Sequence, residues 1–168
     1  MTILSSIVFF VLIAFLVTML CATAAPWVPT RRKDIERILK LAAIVPGEVF
    51  YDLGCGDGRL AVEASRAGAR AIGLDISLMS YFMTLIRIAA ERSSAKVGFK
   101  NFFRQNLSNA DIVYLFLTPS AMPKVKKKLE DELKKGARVI SYAFSIPGLT
   151  LVAADKPLNR QSIYLYRI

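Results

Sequence analysis

Residues 49–59 read VFYDLGCGDGR, an apolar run that ends in an acid and opens into three alternating glycines, Gly54, Gly56 and Gly58. The run suits a buried strand and the glycines a tight loop, after which Leu60, Val62, Ala64 and Ala67 recur at helical spacing as far as Gly68. Strand, glycine loop and helix in that order make the opening half of a βαβ unit. Toward the C-terminus the alternation continues. Residues 71–75 form a second strand, a helix carries Met79, Phe82, Met83, Ile86 and Ala90 on one stripe, and residues 97–103 give a weaker third strand. Residues 111–117 read as a fourth strand, Met122, Val125, Leu129 and Leu133 as one face of a helix, and residues 138–144 as a fifth strand. No helix separates 149–154 from 162–166, which predicts an antiparallel pair at a sheet edge. Toward the N-terminus, Ile35, Ile38, Leu39 and Ala42 mark an amphipathic helix, with Thr30 as its N-cap and Pro46-Gly47 as its stop. The fold class is α/β, a doubly wound, Rossmann-like sheet of seven strands. Ligands of such sheets bind beyond the carboxyl ends of the strands, so residues 52–58, Asp75 and Thr118-Pro119 should converge on one crevice.

Composition sets the limits around this core. All 23 Lys and Arg and all 13 Asp and Glu fall after Thr30, so the 168-residue chain divides into an uncharged leader and one ordinary domain-sized remainder. Residues 3–25 carry no charge, and about 20 apolar residues suffice to cross a bilayer core. A cleaved signal peptide is the competing reading, since Ala22-Thr23-Ala24 resembles a cleavage site. The absence of a preceding Lys or Arg and the length of the apolar run favour a retained transmembrane anchor. Arg31-Arg32-Lys33 follows directly, which predicts a single-pass membrane protein with its domain on the cytoplasmic side. The two cysteines, Cys21 and Cys55, imply no disulfide framework, and the absence of histidine removes imidazole-based catalysis.

The glycine loop departs from the dinucleotide fingerprint, which places its third glycine where Arg59 stands. Charge speaks more strongly. A pyrophosphate docks on bare amides at a helix N-terminus, whereas this loop carries Asp52 at its entrance and Asp57 within it. Carboxylates there favour a ligand with an ammonium group, a sulfonium and an uncharged ribose, and S-adenosylmethionine has all three. Asp75, at the end of the second strand, is placed to accept hydrogen bonds from both ribose hydroxyls. Taken singly, Asp57 is equally readable as a helix cap and Asp75 as a solvated strand end; together, in a βαβ unit, they point to cofactor binding.

Residues 51–59 (YDLGCGDGR), with Gly73-Leu-Asp-Ile76 downstream, resemble the cofactor signature of class I S-adenosylmethionine-dependent methyltransferases. Pro26-Trp-Val-Pro-Thr30, running directly into the first helix, resembles a narrower group: the membrane-anchored lysine methyltransferases of ATP synthase c-subunit and adenine nucleotide translocase, with their prokaryotic relatives. The resemblance implies an anchor at 1–25, a preceding segment and first helix at 26–46, and a methyltransferase domain at 47–168. It implies cofactor contacts from Asp52, Gly54, Cys55, Gly56, Asp57, Gly58, Asp75 and Ile76. It also implies substrate positioning by Trp27, Pro29 and Thr30 beside the methyl group, with Thr118 and Pro119 at the end of the fourth strand. Where the family often has an acid for the adenine amino group, this chain has Asn106, whose carboxamide oxygen can also accept that bond. The implied substrate is a protein lysine on a membrane-embedded partner.

Methyl transfer to an amine is an in-line displacement, so alignment and desolvation dominate and no histidine base is needed. A lysine near pKa 10.4 must give up about three pKa units of proton affinity at neutral pH, roughly 4 kcal/mol, which an apolar channel lowers. Trp27, Tyr142 and Phe144 are candidates for its walls, though Trp27 equally suits a membrane-interface anchor and the other two suit sheet core. The net charge of +10 invites a nucleic-acid partner, with Lys124, Lys126, Lys127, Lys128, Lys134 and Lys135 as the patch. A solvent-facing helix side, or one meeting anionic headgroups, accounts for them more simply. Leu117-Thr118-Pro119-Ser120 also lacks the Asn/Asp-Pro-Pro-Tyr/Phe pattern of nucleic-acid amino methylation, so no nucleic acid is expected. A small-molecule or lipid methyltransferase and a non-catalytic cofactor-binding membrane module stay open as alternatives.

Overall fold

The computed structural model describes Ser6, residues 8–13 and residues 28–168. Helix α1 (Arg32–Ala42) precedes β1 (Val49–Leu53), α2 (Arg59–Arg66), β2 (Arg70–Asp75), α3 (Leu78–Ala90) and β3 (Lys96–Phe99). After them come β4 (Ile112–Leu115), α4 (Met122–Glu132), β5 (Arg138–Tyr142), β6 (Leu151–Asp155) and β7 (Ile163–Arg167). One seven-stranded sheet results, in the order β3-β2-β1-β4-β5-β7-β6. The first five strands run parallel to one another, and β7 runs antiparallel between β5 and β6. The predicted terminal pair therefore forms, with its later strand on the inside.

Every residue of β1 is buried, as a central parallel strand covered on both faces requires. On one face, Phe50, Ile112, Tyr114, Ile140 and Tyr142 pack with Ile35 and Ile38 of α1 and Leu60 and Val62 of α2. On the other, Tyr51, Leu53, Val113 and Val139 pack with Met122, Val125 and Leu129 of α4. Helix α1 thus shares the core of the domain it precedes. It runs back along β5: the Tyr142 hydroxyl donates to Asp34 Oδ2 at 2.7 Å near its start, and Arg138 Nη1 donates to the Ala43 carbonyl at 2.8 Å beyond its end.

Several sequence-based expectations are corrected. Thr30 does not cap α1; Arg31 holds the cap position, and the Thr30 hydroxyl bonds instead to Tyr114 Oη at 2.7 Å across the sheet. The third strand stops at Phe99, because Asn101 caps a 3-10 turn at Phe102–Arg104 through its side-chain oxygen. Lys128 is buried rather than solvent-facing; its ammonium donates to the Gln105 carbonyl at 2.7 Å and to Glu132. The largest correction concerns α3. Its buried side chains are the polar Ser80 and Thr84, whereas Leu78, Met79, Phe82, Leu85 and Ile86 are exposed.

No helix among the described residues is long and apolar enough to cross a membrane. The short stretch 8–13 is helical and lies within the expected anchor. The remainder of that segment, with Cys21 and Trp27, lies outside the described residues.

Candidate functional site

The carboxyl end of β1 turns into the glycine loop beside the carboxyl end of β2. Gly54 and Cys55 donate their amides to the Leu74 carbonyl at 2.8 and 3.1 Å, which pins the loop to β2. Gly54, Gly56 and Gly58 have φ of 81°, 57° and 72°, the left-handed region that side chains disfavour. Gly58 is constrained a second way: a Cβ there would stand 2.4 Å from Thr84 Cγ2. Thr84 comes this close because its hydroxyl donates to the Gly56 carbonyl at 2.9 Å, so α3 turns a small polar side chain inward to hold the loop. That contact explains the inverted face of α3.

Asp52 is buried at the foot of the loop, in register with Gly73 of β2 and Tyr114 of β4. Among the described residues its carboxylate has neither a salt-bridge partner nor a side-chain hydrogen bond. Burial, together with the charges of Asp75 and Asp57, pushes its carboxyl up to about 8. A buried acid without a cation is a strong attractor for one. Asp75, half-buried at the end of β2, accepts from the Gly56 amide at 2.9 Å and the Ser77 amide at 2.8 Å, one bond per oxygen. Each oxygen retains capacity for a further donor, as a vicinal diol requires. Ile76, immediately beyond, is exposed at the rim. The crevice therefore offers a site for a cation at Asp52 and for hydroxyls at Asp75, which fits S-adenosylmethionine and opposes a pyrophosphate.

Asp57 plays a different part from the one the charge argument gave it. Its carboxylate is gripped by Arg59, at 2.7 Å from Nη2, and by Arg87 of α3, at 2.7 Å. Burial works against its ionisation, but these guanidiniums outweigh burial and hold its carboxyl below the usual range. Its charge is spent inside the protein, which leaves Asp52 and Asp75 as the crevice's carboxyls without a cationic partner among the described residues. Cys55 is likewise packed away: its thiol lies 3.8 Å from Thr84 Oγ1, and burial pushes the thiol up, so it stays protonated. The Gly73 Cα lies so close that a Cβ there would approach the sulfur to 2.8 Å.

Thr30 reaches the same crevice. Besides its bond to Tyr114, its carbonyl accepts from Arg59 Nη1 at 3.0 Å, which ties the segment before α1 to the residue that clamps Asp57. Pro29 is half-buried beside it. Tyr114 carries no sequence signal beyond its place in an apolar strand run, yet it stands between Thr30 and Asp52; burial and the Asp52 charge raise its pKa and keep it a phenol. Thr118 and Pro119 are exposed past the end of β4, where the Thr118 carbonyl accepts the Ala121 amide at 3.0 Å and its hydroxyl meets Ser120 at 3.0 Å. Tyr142 is closed off by its bond to Asp34 and packs edge-on against Phe116 at 4.9 Å, whereas Phe144 is partly exposed. Asn106 is exposed, and its side-chain oxygen already accepts the Ser108 amide at 2.7 Å.

A depression of about 730 Å³ lies behind the loop, between α1, α2 and α3, rather than at the strand ends. One wall is a ladder of ion pairs, Arg66 with Glu63 and Glu91, and Arg87 with Glu91 and Asp57, and the α1 side brings Arg32, Glu36 and Lys40. The charges of the ladder are mutually satisfied, whereas Asp52 and Asp75 at the strand ends keep free acceptors, which makes the strand ends the candidate ligand site.

Comparison with known proteins agrees with this geometry. The profile of the ANTKMT methyltransferase domain matches residues 52–153. A protein-lysine N-methyltransferase of Saccharolobus islandicus is 34% identical over 152 residues, covering 85% of this chain and 93% of that protein. The lysine N-methyltransferase that acts on the ATP synthase c-subunit in Rattus norvegicus is 31% identical over 81% of this chain, and the adenine nucleotide translocase lysine N-methyltransferase of Mus musculus 35% over 73%. This chain spans 63% and 54% of those two animal proteins. Among solved structures, an RNA methyltransferase from Salinibacter ruber in complex with S-adenosyl-L-homocysteine superposes with a TM-score of 0.80 at 28% identity, covering 84% of this chain and 94% of that one. Sequence signature, crevice chemistry and these matches converge: the chain belongs to the ANTKMT methyltransferase domain family.

Proposed function

We propose that the chain is an S-adenosylmethionine-dependent protein-lysine N-methyltransferase whose substrate is a membrane-associated protein. The observation that carries the cofactor is the buried Asp52, without a cation among the described residues, beside Asp75 at the mouth of the glycine loop. When bound, S-adenosylmethionine supplies the methyl group on a sulfonium. Asp52 would face the ammonium of its amino-acid end, Asp75 the ribose, and the loop would allow close backbone approach. Segment 28–30, with Thr30 fixed on Tyr114, would border the acceptor channel. No imidazole takes part; the lysine reacts as the neutral amine in a desolvated channel.

The lysine acceptor is supported by the Saccharolobus relative, which aligns over nearly its whole length. The membrane-associated substrate rests on the animal relatives and on the uncharged segment 3–25, read as a single-pass anchor with the domain on the cytoplasmic side. The Salinibacter structure favours a second reading, RNA methylation. Against it, Lys126, Lys127, Lys128 and Lys134 pair with Glu130, Asp131, Glu132 and Asp111, so much of the basic patch is already neutralised.

Incubation of the full chain with radiolabelled S-adenosylmethionine and membranes lacking the enzyme, resolved by gel and mass spectrometry, tests the assignment. Label on a protein lysine supports it, and label confined to RNA or lipid refutes it.

A further inference from the structure

Helix α3 presents to solvent the stripe that an ordinary α/β helix buries. Ile76, Leu78, Met79, Phe82 and Ile86 are between 53% and 68% exposed, and Phe99 at the end of β3 extends the ridge at 51%. Contiguous apolar surface of this kind marks an interaction site. Its position says with what. Helices of this sheet start where the strands end, so Ile76, Leu78 and Met79 lie at the cofactor end, as does Thr30, bonded to Tyr114 and to the first residue of α2. Residues 28–30, where the described domain begins, therefore lie at the same end as the ridge. Exposed Arg31, Arg32 and Lys33 stand at that end at the start of α1, and exposed Lys100 and Arg104 follow β3. Among the described residues none of these five forms a salt bridge. An apolar ridge rimmed by unpaired cations is complementary to a layer of anionic headgroups over acyl chains.

We propose that the cofactor end of the domain seats on an anionic phospholipid surface, with Leu78, Met79, Phe82 and Ile86 entering the headgroup region. This contact is separate from the 3–25 segment and does not depend on which acceptor is methylated. It sets the orientation of the domain: the crevice mouth faces the headgroup layer, within reach of groups at that level.

The test uses the full chain with vesicles of phosphatidylglycerol and phosphatidylcholine that carry a photoactivatable carbene lipid, followed by peptide mapping. We expect label on residues 76–86 and 99 in the anionic vesicles, falling in pure phosphatidylcholine or at high salt. A Met79→Glu/Phe82→Glu variant should lose roughly tenfold or more of the α3 label, as expected from two buried apolar side chains, while its S-adenosylmethionine affinity stays unchanged. Label confined to residues 1–27 overturns the proposal. So does a cross-link from α3 to residues 1–27 of its own chain, or a dimer that shields α3 from the probe.

Discussion

Replacing Asp52 by Asn should move stability and cofactor affinity in opposite directions. The folded protein raises this carboxyl from 3.8 to about 8, chiefly through burial. A raised acid binds its proton more tightly in the folded state, so the unfolded chain releases it first and stability falls as pH rises from about 4 to about 8. At 1.36 kcal/mol per pKa unit, the penalty is at most about 2 kcal/mol at pH 5 and about 5 kcal/mol at pH 8. Asn carries no such cost. The ligand-free variant should therefore gain in melting temperature over wild type, and the gain should be roughly 7–14 °C larger at pH 8 than at pH 5, at about 2–4 °C per kcal/mol. Binding should change the other way, because the cofactor ammonium loses its counter-charge. In the wild type, pairing with that ammonium requires Asp52 to ionise, so binding near pH 7 should release up to about 0.9 proton, the fraction protonated at a pKa of 8. Scanning calorimetry across pH, and titration calorimetry in buffers of different ionisation enthalpy, measure both quantities. A wild type that binds without proton release, together with a pH-independent stability difference from the variant, refutes the assignment of Asp52 as the cation-seeking group.

Further outcomes follow from neighbouring contacts. Asp75→Ala should weaken S-adenosylmethionine binding about tenfold or more without unfolding the domain, since it removes acceptors for the ribose and for Gly56; unchanged affinity by titration removes that role. Gly58→Ala should cost about 2–4 kcal/mol in urea unfolding, from positive φ and the Thr84 clash, and Thr84→Ala should restore part of the loss; additive effects in the cycle count against the close approach. Asp34 is opposed by burial, but hydrogen bonds from Tyr142 and Arg37 outweigh it and depress its pKa, so its contribution is present above pH 4 and lost as pH falls through the depressed value. With Asp52 acting in the other direction, ligand-free stability should peak near pH 4–6, and Tyr142→Phe should flatten the acid limb of that profile. Lys128→Ala should destabilise by about 2 kcal/mol and increase hydrogen exchange at residues 105–108, because its ammonium ties Gln105 to Glu132.

Much of the fold was legible because local pattern and global arrangement agree. Short apolar runs, the glycine loop and helical stripes place all seven strands and four helices, and the missing helix after β5 announces the antiparallel pair. The errors occur where one side chain answers to a distant partner. Thr30 has the chemistry of a cap, yet Tyr114, far away in sequence, takes its hydroxyl. The stripe on α3 was visible, but its facing was not: Thr84 must be small and polar to hold Gly56 and admit Gly58, and that demand comes from the loop. The candidate site was legible in its glycines and in Asp52 and Asp75, which the fold brings to one crevice. That Asp57 is neutralised could be foreseen in half, since Arg59 is adjacent, whereas Arg87 arrives from another helix.

The inside position of β7 has a consequence in time. During synthesis β6 emerges before β7, yet β6 touches the sheet only through β7. Until residues 163–167 join the sheet, β5 keeps an open edge along residues 138–142, of which Val139, Ile140, Ser141 and Tyr142 end up buried. A nascent chain exposes there a strand edge that recruits other chains. Closure then depends on a few late residues, with Gly136 donating to the Ile168 carbonyl at 2.6 Å and Ile168 to that of Ala137 at 3.0 Å. A chain truncated short of residue 163 would hold a domain whose glycine loop is complete but whose sheet is still unsealed.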